Sequence, residues 1–177
     1  MANLKLKNPS GGSLALVSAD GASDLTVTFP ATTGTAMVSG NMPAFYAYNA
    51  TTQSIGSGTY TKVQFPTEGF DTANCYDNAT NYRFTPNVAG YYQLNAGVYF
   101  ASSGSIILPL YKNGSLFMES NRLNTGSAGN TLGFGGLVYA NGSSDYFEIY
   151  AYASSGSTLG SNLALFFWFT GVLVRAA

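Results

Sequence analysis

Three acidic residues that lie close together in the sequence, Glu68, Asp71 and Asp77, are the part of this chain best suited to chemistry. A pair of carboxylates can act as acid and base in the hydrolysis of a glycosidic bond. Such sites usually lie in grooves lined with Arg, Trp and Asn, whereas the one tryptophan here, Trp168, falls in an apolar segment. The same oxygens could bind calcium, but the compact Asp-x-Asp-x-Asp spacing is absent. We therefore predict no catalytic residue, no bound cofactor and no metal ion.

The residues that most often activate a nucleophile are also missing. The chain contains no histidine, the commonest general base and metal ligand. Cys75 is the only cysteine, so no disulfide can form within the chain, and a thiol nucleophile would lack its usual activating partner. We therefore interpret Cys75 as a small hydrophobic residue and expect a protein that is not an enzyme.

Charge is scarce along the whole chain. Charged residues make up 8% of the 177 residues, against roughly 25% in an average soluble domain, and the net charge is −1. A free monomer with so little surface charge would be adhesive, so we expect partner subunits to cover much of the surface. No basic stripe is available to bind nucleic acid or an anionic membrane.

Two segments bear on the location of the protein. The N-terminus reads MANLKLKNPSGG, which has lysines but no apolar run of the kind found in secretory signals. The most apolar stretch, Leu163 to Val174, has 12 residues and is too short to cross a bilayer as a helix. We therefore expect folding in a cytoplasm and no membrane insertion.

Alternating apolar and polar residues bounded by turn residues indicate an all-β fold. About eight to ten strands over residues 43–177 suggest a two-sheet jelly-roll sandwich. The dipeptide Asn113-Gly114 predicts a hairpin, the segment 141–144 predicts another, and Pro109 predicts an edge strand or a bulge. The predicted strands cover residues 44–48, 60–65, 75–77, 82–85, 90–100, 106–112, 116–121, 131–140, 146–153 and 162–174.

The first 42 residues differ from the rest, and Met42-Pro43 marks the predicted boundary between two domains, 1–42 and 43–177. Alternation in residues 13–18 and 24–29 predicts a small β-hairpin arm. A two-stranded hairpin is marginally stable alone in water, so the arm must pack on sister chains or on a larger assembly, unless it is a flexible tail.

The last two predicted strands have apolar residues on both faces. One face of each can enter the sandwich core, and the other needs a second cover, most simply another subunit. A tyrosine face suits such an interface, because a ring buries area while its hydroxyl stays bonded, although these tyrosines could instead coat an exposed sheet. The predicted trimer interface comprises Tyr146, Tyr150, Tyr152, Phe166, Phe167, Trp168 and Phe169.

Residues 43–174 resemble the globular head of complement C1q, a member of the tumour-necrosis-factor-like jelly rolls. Six short segments match the family in the right order: PAFYA at 43–47, VQF at 63–65, YD…T…YRFTP within 76–86, VAGYY at 88–92, LYKNG at 110–114 and FTGVLV at 169–174. The resemblance implies a ten-stranded jelly roll that forms a compact three-fold trimer and acts as a binding module without catalysis. The collagen-type repeat that often precedes such heads is absent.

The N-terminal segment resembles a different class of protein. Residues 16–40, LVSADGASDLTVTFPATTGTAMVSG, look like short β segments common in bacteriophage tail-fibre and virion proteins. The two resemblances together imply a structural virion protein: a trimeric head fibre, tail-fibre tip or capsid decoration, assembled in the host cytoplasm. Its arm, residues 1–42, would bind other virion proteins. The alternative is a free bacterial or secreted trimer of lectin-like or cytokine-like type.

Attachment to a host-surface glycan or protein is a further expectation. Three loops rich in Ser, Gly and Asn, residues 101–105, 121–130 and 154–161, could supply adaptable hydrogen bonds, or they could be plain connectors. Three equal heads would turn weak contacts into firm attachment.

Overall fold

The computed structural model describes residues 4–7, 10–11, 13–16, 42–120, 122–160 and 166–177. The chain divides into two compact units, residues 1–34 and residues 35–177. Predicted elements at 17–18, 24–29 and 162–165 lie outside the described residues.

The first unit contains one described pair of strands. Strand β1 (Leu4–Lys7) pairs antiparallel with β2 (Ser13–Leu16), with Leu4 opposite Leu16. Between them Gly11 has φ 93°, a left-handed conformation that glycine adopts without strain. Strand β2 falls within the predicted strand 13–18, but its described partner is the lysine-bearing segment before it.

The second unit is a two-sheet β-sandwich. Its strands are β3 (Ala44–Tyr48), β4 (Gln53–Ile55), β5 (Thr61–Lys62), β6 (Thr67–Asp71), β7 (Tyr76–Asp77), β8 (Arg83–Phe84), β9 (Gly90–Phe100), β10 (Gly104–Ile107), β11 (Leu110–Lys112), β12 (Ser115–Met118), β13 (Leu123–Thr125), β14 (Asn130–Ala140), β15 (Phe147–Ala153), β16 (Ser157–Leu159) and β17 (Phe167–Ala176).

One sheet, called here the β9 sheet, has the order β14–β9–β17–β3–β6. The β4–β16 pair joins β9 beyond the start of β17, where Leu159 lies opposite Phe100. The long strand β9 alternates as the sequence predicts: Tyr92, Leu94, Ala96, Val98 and Phe100 face the core.

The other sheet, called here the β15 sheet, is built around β15. Strands β10 and β11 pair with one edge of β15, and β5 and β8 pair with its other edge. Strands β12 and β13 extend the β11 and β10 side, and β7 pairs with β8. Pro109 interrupts the strand between β10 and β11, but its carbonyl still accepts a 2.9 Å hydrogen bond from the Tyr150 N–H. The proline therefore lies at an irregularity inside the sheet and not at its edge.

The predicted hairpin at Asn113-Gly114 is present, with both residues in the left-handed region at φ 53° and 77°. The predicted hairpin at 141–144 is wrong. Strand β14 pairs with β9 along its whole length, whereas β15 belongs to the other sheet, so residues 141–144 carry the chain from one sheet to the other. The Asn141 side chain organises this loop by accepting hydrogen bonds from the N–H groups of residues 143–145.

The core is rich in stacked aromatic rings. Phe45 stacks on Tyr76 and Phe84, with ring centroids 4.9 and 4.5 Å away, and meets Phe169 edge-on at 4.9 Å. Offset or edge-on aromatic pairs add about 0.5–1.5 kcal/mol beyond the area that they bury. These rings come from both sheets and therefore join them.

Close packing over Gly171 gives a test of this core. A Cβ on Gly171 would lie 2.5 Å from Phe45 Cε1 and 2.6 Å from Leu94 Cδ2. We expect Gly171→Ala to lower the free energy of unfolding by about 1–3 kcal/mol, because a well-packed core has no room for an added methyl group. Urea unfolding at fixed protein concentration measures the change. Gly126→Ala is the control, because nothing lies within 4 Å of its Cβ position, and equal losses in both variants would contradict the packing.

Candidate functional site

Most of the outer face of the β9 sheet is uncharged, and Arg175, opposite Tyr91 in the register, marks the end of this region on β17. On β3, β9, β14 and β17 as far as Val172, no outward side chain among these described strands carries a charge. The register aligns these residues in rows: Tyr48 lies beside Trp168, and Tyr46 lies beside Thr170. Exposed apolar side chains include Leu137 at 57% and Val172 at 42%. We call this surface the uncharged face. Exposed apolar patches of this kind mark interaction sites, so the face is a candidate interface.

A hollow lies in the middle of the uncharged face. Gly97 and Gly133 are opposite each other on β9 and β14, so neither residue contributes a side chain there. A Cβ on Gly97 would lie 2.8 Å from Trp168 Cε2, which means that the indole rests over the glycine backbone. The open hollow has a volume of about 780 Å³, and Asn95 and Thr170 supply polar groups to its lining.

The outer face of the β15 sheet has a different composition. It carries aromatic rings in contact: Tyr111 stacks on Tyr150 with centroids 3.9 Å apart, and Tyr60 lies 5.1 Å from Tyr152. We call the surface formed by Tyr60, Tyr111, Tyr146, Tyr150 and Tyr152 the tyrosine face.

Charged groups surround the tyrosine face. The buried carboxylate of Glu148 pairs with the Lys62 ammonium, which is directly opposite Tyr150 in the register. The Tyr60 hydroxyl donates a 3.0 Å hydrogen bond to Glu119 Oε1. The Arg122 guanidinium lies 5.9 Å from the centroid of the Tyr152 ring. A second arginine, Arg83, lies 4.3 Å from the Tyr146 ring.

The residues of the predicted trimer interface fall in three different places. Trp168 lies on the uncharged face, and Phe166, just before β17, is 41% exposed. Tyr146, Tyr150 and Tyr152 lie on the outer side of the opposite sheet, so they cannot form one continuous patch with Trp168.

Two of the predicted interface residues are wrong. Phe167 and Phe169 are completely buried within the single chain, where Phe169 packs against Phe45 and Phe65. Both faces of β17 are apolar, so its sequence pattern could not show which face enters the core.

The three predicted contact loops have described parts that meet at one end of the sandwich. The Ser105 N–H donates a 3.0 Å hydrogen bond to Ser154 Oγ, and the Ser102 N–H donates one of 3.2 Å to Ser157 Oγ. Arg122 Nη1 donates to Ser105 Oγ at 3.2 Å. Residues 121 and 161 lie outside the described residues. The use of these loops as ligand contacts stays a prediction.

The acidic segment forms a structured loop. The Asp71 carboxylate accepts hydrogen bonds from the N–H groups of Ala73 and Tyr76, at 3.2 and 2.7 Å. Among the residues that the structure describes, no three His, Cys, Asp or Glu side chains are grouped as a metal site requires. Cys75 is buried and free, and burial raises the pKa of its thiol.

Asp77 has a similar structural role. Its carboxylate accepts hydrogen bonds from the N–H groups of Ala79, Thr80 and Asn81, at 3.1, 2.9 and 3.2 Å. These hydrogen bonds, above all the one from the Thr80 N–H, lower the pKa of Asp77 from 3.8 to about 2. The carboxylate therefore fixes the turn before β8.

The comparisons with known proteins identify the fold. No protein-family model matches the chain, and no curated protein matches it. The globular domain of zebrafish complement 1qA protein is similar in structure, with a TM-score of 0.61 at 19% identity over 76% of this chain and 99% of that one. Murine APRIL has a TM-score of 0.59 at 12% identity, over 75% of this chain and 99% of that one. Eiger TNF from S. frugiperda has a TM-score of 0.59 at 8% identity, over 77% of this chain and 93% of that one.

The chain has the jelly-roll fold of the C1q and TNF-like heads. The fold implied by the sequence resemblance is thus confirmed, while identities of this size show the fold alone. No helix among the described residues is long and apolar enough to cross a membrane.

The turn at Asp77 predicts a pH dependence. Because the folded-state pKa is lowered to about 2, the ionised carboxylate stabilises the fold above about pH 4, and this contribution is lost as the pH falls through 2. Asp77→Asn keeps an acceptor oxygen but does not titrate, so its stability should change less between pH 4 and pH 2. Urea midpoints across this range measure the difference. Glu68→Gln on the edge strand β6 is the control, and a wild-type profile identical to that of Asp77→Asn would refute the role of the turn.

Proposed function

We propose that this chain is a structural protein of a bacteriophage particle, in which the jelly roll forms a homotrimeric head fibre, tail-fibre tip or capsid decoration. Residues 1–42 bind other virion proteins, and the assembled head attaches to the host surface. The observation that carries the assembly is the uncharged outer face of the β9 sheet.

The uncharged face has the composition of an interface core. Charged residues are depleted at the centres of protein interfaces, where aromatic and apolar side chains exclude water. Here Trp168, Leu137 and Val172 supply apolar area, and Asn95 and Thr170 supply hydrogen-bonding groups at the centre. Leaving such a face in water would cost free energy in proportion to its apolar area.

A second copy of the chain suits this face well. Where it carries no charge, the uncharged face meets a sister chain with no like-charge repulsion and with no ionic group to desolvate. A contact between different patches of identical chains builds a closed ring when the rotation from one chain to the next adds up to a full turn. The sequence resemblance implies a ring of three. This assembly also accounts for the low charge of the chain as a whole.

The proposal revises the interface to residues of the uncharged face. Trp168 remains in the interface, and Phe166 is retained from the sequence-based set. Tyr139 and Val172 join them, being exposed apolar residues at the edge and centre of the face. The tyrosine face then stays on the side away from the contact.

The phage setting is supported by the resemblance of residues 16–40 to virion proteins. An arm that binds the particle and a head that binds outward explain both parts of the chain. The proposed role is structural and non-catalytic, because the carboxylates of Asp71 and Asp77 are engaged by backbone N–H groups. The alternative is a free bacterial or secreted C1q-like trimer of lectin-like or cytokine-like type.

Charge placed on the uncharged face tests the assembly. We expect the wild-type chain to have three times the monomer mass, and Val172→Lys and Tyr139→Lys to shift it to monomer, because a buried unpaired ammonium opposes association. Native mass spectrometry and light scattering measure the state. Tyr60→Lys is the matched control, since Tyr60 is 37% exposed, close to the 43% of Tyr139, but lies on the tyrosine face. A monomeric wild-type chain would contradict the proposed assembly.

Removal of the arm separates the virion role from the alternative. A chain lacking residues 1–42 should still form trimers but should be absent from purified particles, because the arm supplies the contact with other virion proteins. Immunoblots of particles made with full-length or truncated protein measure incorporation. Normal incorporation of the truncated chain would refute this role of the arm, and a chain absent from particles in its full-length form would favour the free trimer.

A further inference from the structure

Four of the five rings of the tyrosine face form a continuous layer. Tyr60 contacts both Tyr152 and Tyr111, with centroids 5.1 and 6.4 Å apart, and Tyr111 stacks on Tyr150 at 3.9 Å with an angle of 19° between the planes. The four rings come from three segments of the chain, namely β11, β15 and the residue before β5. Because each ring is supported by its neighbour, little side-chain entropy remains to be lost when a ligand binds.

A buried isoleucine beside Tyr152 indicates that side chains on this outer face pack against one another. Ile107 lies opposite Tyr152 in the register and therefore on the same outer face of the sheet. It is nevertheless completely buried in the single chain. Other side chains on the solvent side of the sandwich thus cover this isoleucine.

Hydrogen-bonding groups stand beside the rings. Glu119 accepts a bond from the Tyr60 hydroxyl through Oε1, and Arg122 lies 5.9 Å from the Tyr152 ring. Burial, and then the nearby carboxylates, raise the pKa of Tyr60 and Tyr150, so their hydroxyls stay protonated at neutral pH. Donors and acceptors therefore alternate with apolar ring faces over a short distance.

We propose that the tyrosine face binds a polysaccharide. The sugar rings lay their apolar C–H faces on the exposed Tyr60 ring and on the parts of the half-buried Tyr111 and Tyr150 rings that their mutual stacking leaves uncovered. Their hydroxyls bond to Glu119, Arg122 and the phenols. Aromatic side chains combine apolar area with a polar end, and an uncharged sugar offers the same combination. This inference adds the ligand class and the site to the proposed host attachment.

The charges of the face favour a glycan over the other ligands that stack on aromatic rings. Single-stranded nucleic acid also stacks on such rings, but it requires a positively charged groove along its backbone. Here Lys62 is already paired with Glu148, and a phosphate chain would meet Glu119. Arg83 and Arg122 lie by separate rings, those of Tyr146 and Tyr152, and do not line one groove. A protein partner would require fewer charges at the centre of its contact.

The decisive experiment applies the full-length protein to an array of bacterial capsular and lipopolysaccharide glycans, glucans, galactans and mannans. Titration calorimetry then measures the affinity for the retained glycan. We expect Tyr111→Ala to weaken binding at least about tenfold, and Tyr111→Phe to weaken it less, because the ring supplies most of the contact. Leu116→Ala is the matched control: it removes apolar area directly opposite Tyr111 in the register, and we expect it to change the affinity by less than about twofold.

Several outcomes would overturn the proposal. These are the retention of no glycan, unchanged binding by Tyr111→Ala, an equal loss in Leu116→Ala, and preferential binding of a single-stranded oligonucleotide.

Circular dichroism of each variant separates loss of binding from loss of folding, and Arg122→Ala gives a second test that leaves every ring in place. The native mass of the same samples separates this inference from the proposed assembly, because a monomer that binds glycan would support the first and contradict the second.

Discussion

The packing of aromatic rings around Phe169 joins the two sheets and decides which side chains of the β9 sheet face outward. Phe169 contacts Phe45, Phe65 and Tyr76, with ring centroids 4.9, 5.8 and 6.2 Å away, and Phe45 also stacks on Phe84. A strand with this many rings on one side cannot shift by one residue, because the shift would bring its other face into the core. The outward positions of β17 are therefore fixed by the core, and the uncharged face follows from them.

The parts of the fold that could be predicted from the sequence are those with a clear period of two. Strand β9 alternates strictly between core and outer residues, and the turn Asn113-Gly114 has the residues that a tight hairpin needs. Short strands such as β4 and β16, of three residues each, have no period to detect: β16 forms because β9 offers it an edge, and β4 pairs in turn with β16. The local sequence likewise could not show which strand pairs with β14, because a loop between two successive strands can form a hairpin or carry the chain from one sheet to the other.

The candidate site shows the same limit. Tyr150 lies on a tyrosine-rich face that predicts an outward position, and it faces outward, as does Trp168. The sequence alone could not show that they belong to different sheets, because that depends on pairings between residues far apart in the chain. It also could not distinguish Phe167 from Trp168, since both faces of β17 are apolar and only the ring packing in the core separates them.

The position of the single tryptophan has a practical consequence. Trp168 rests over Gly97 beside the hollow on the uncharged face, so the indole fluorescence of the chain arises at one known point. A second copy that covered this hollow would remove water from the ring and move its emission to shorter wavelength. The protein therefore carries its own optical reporter of self-association, which a simple dilution series can follow without any attached dye.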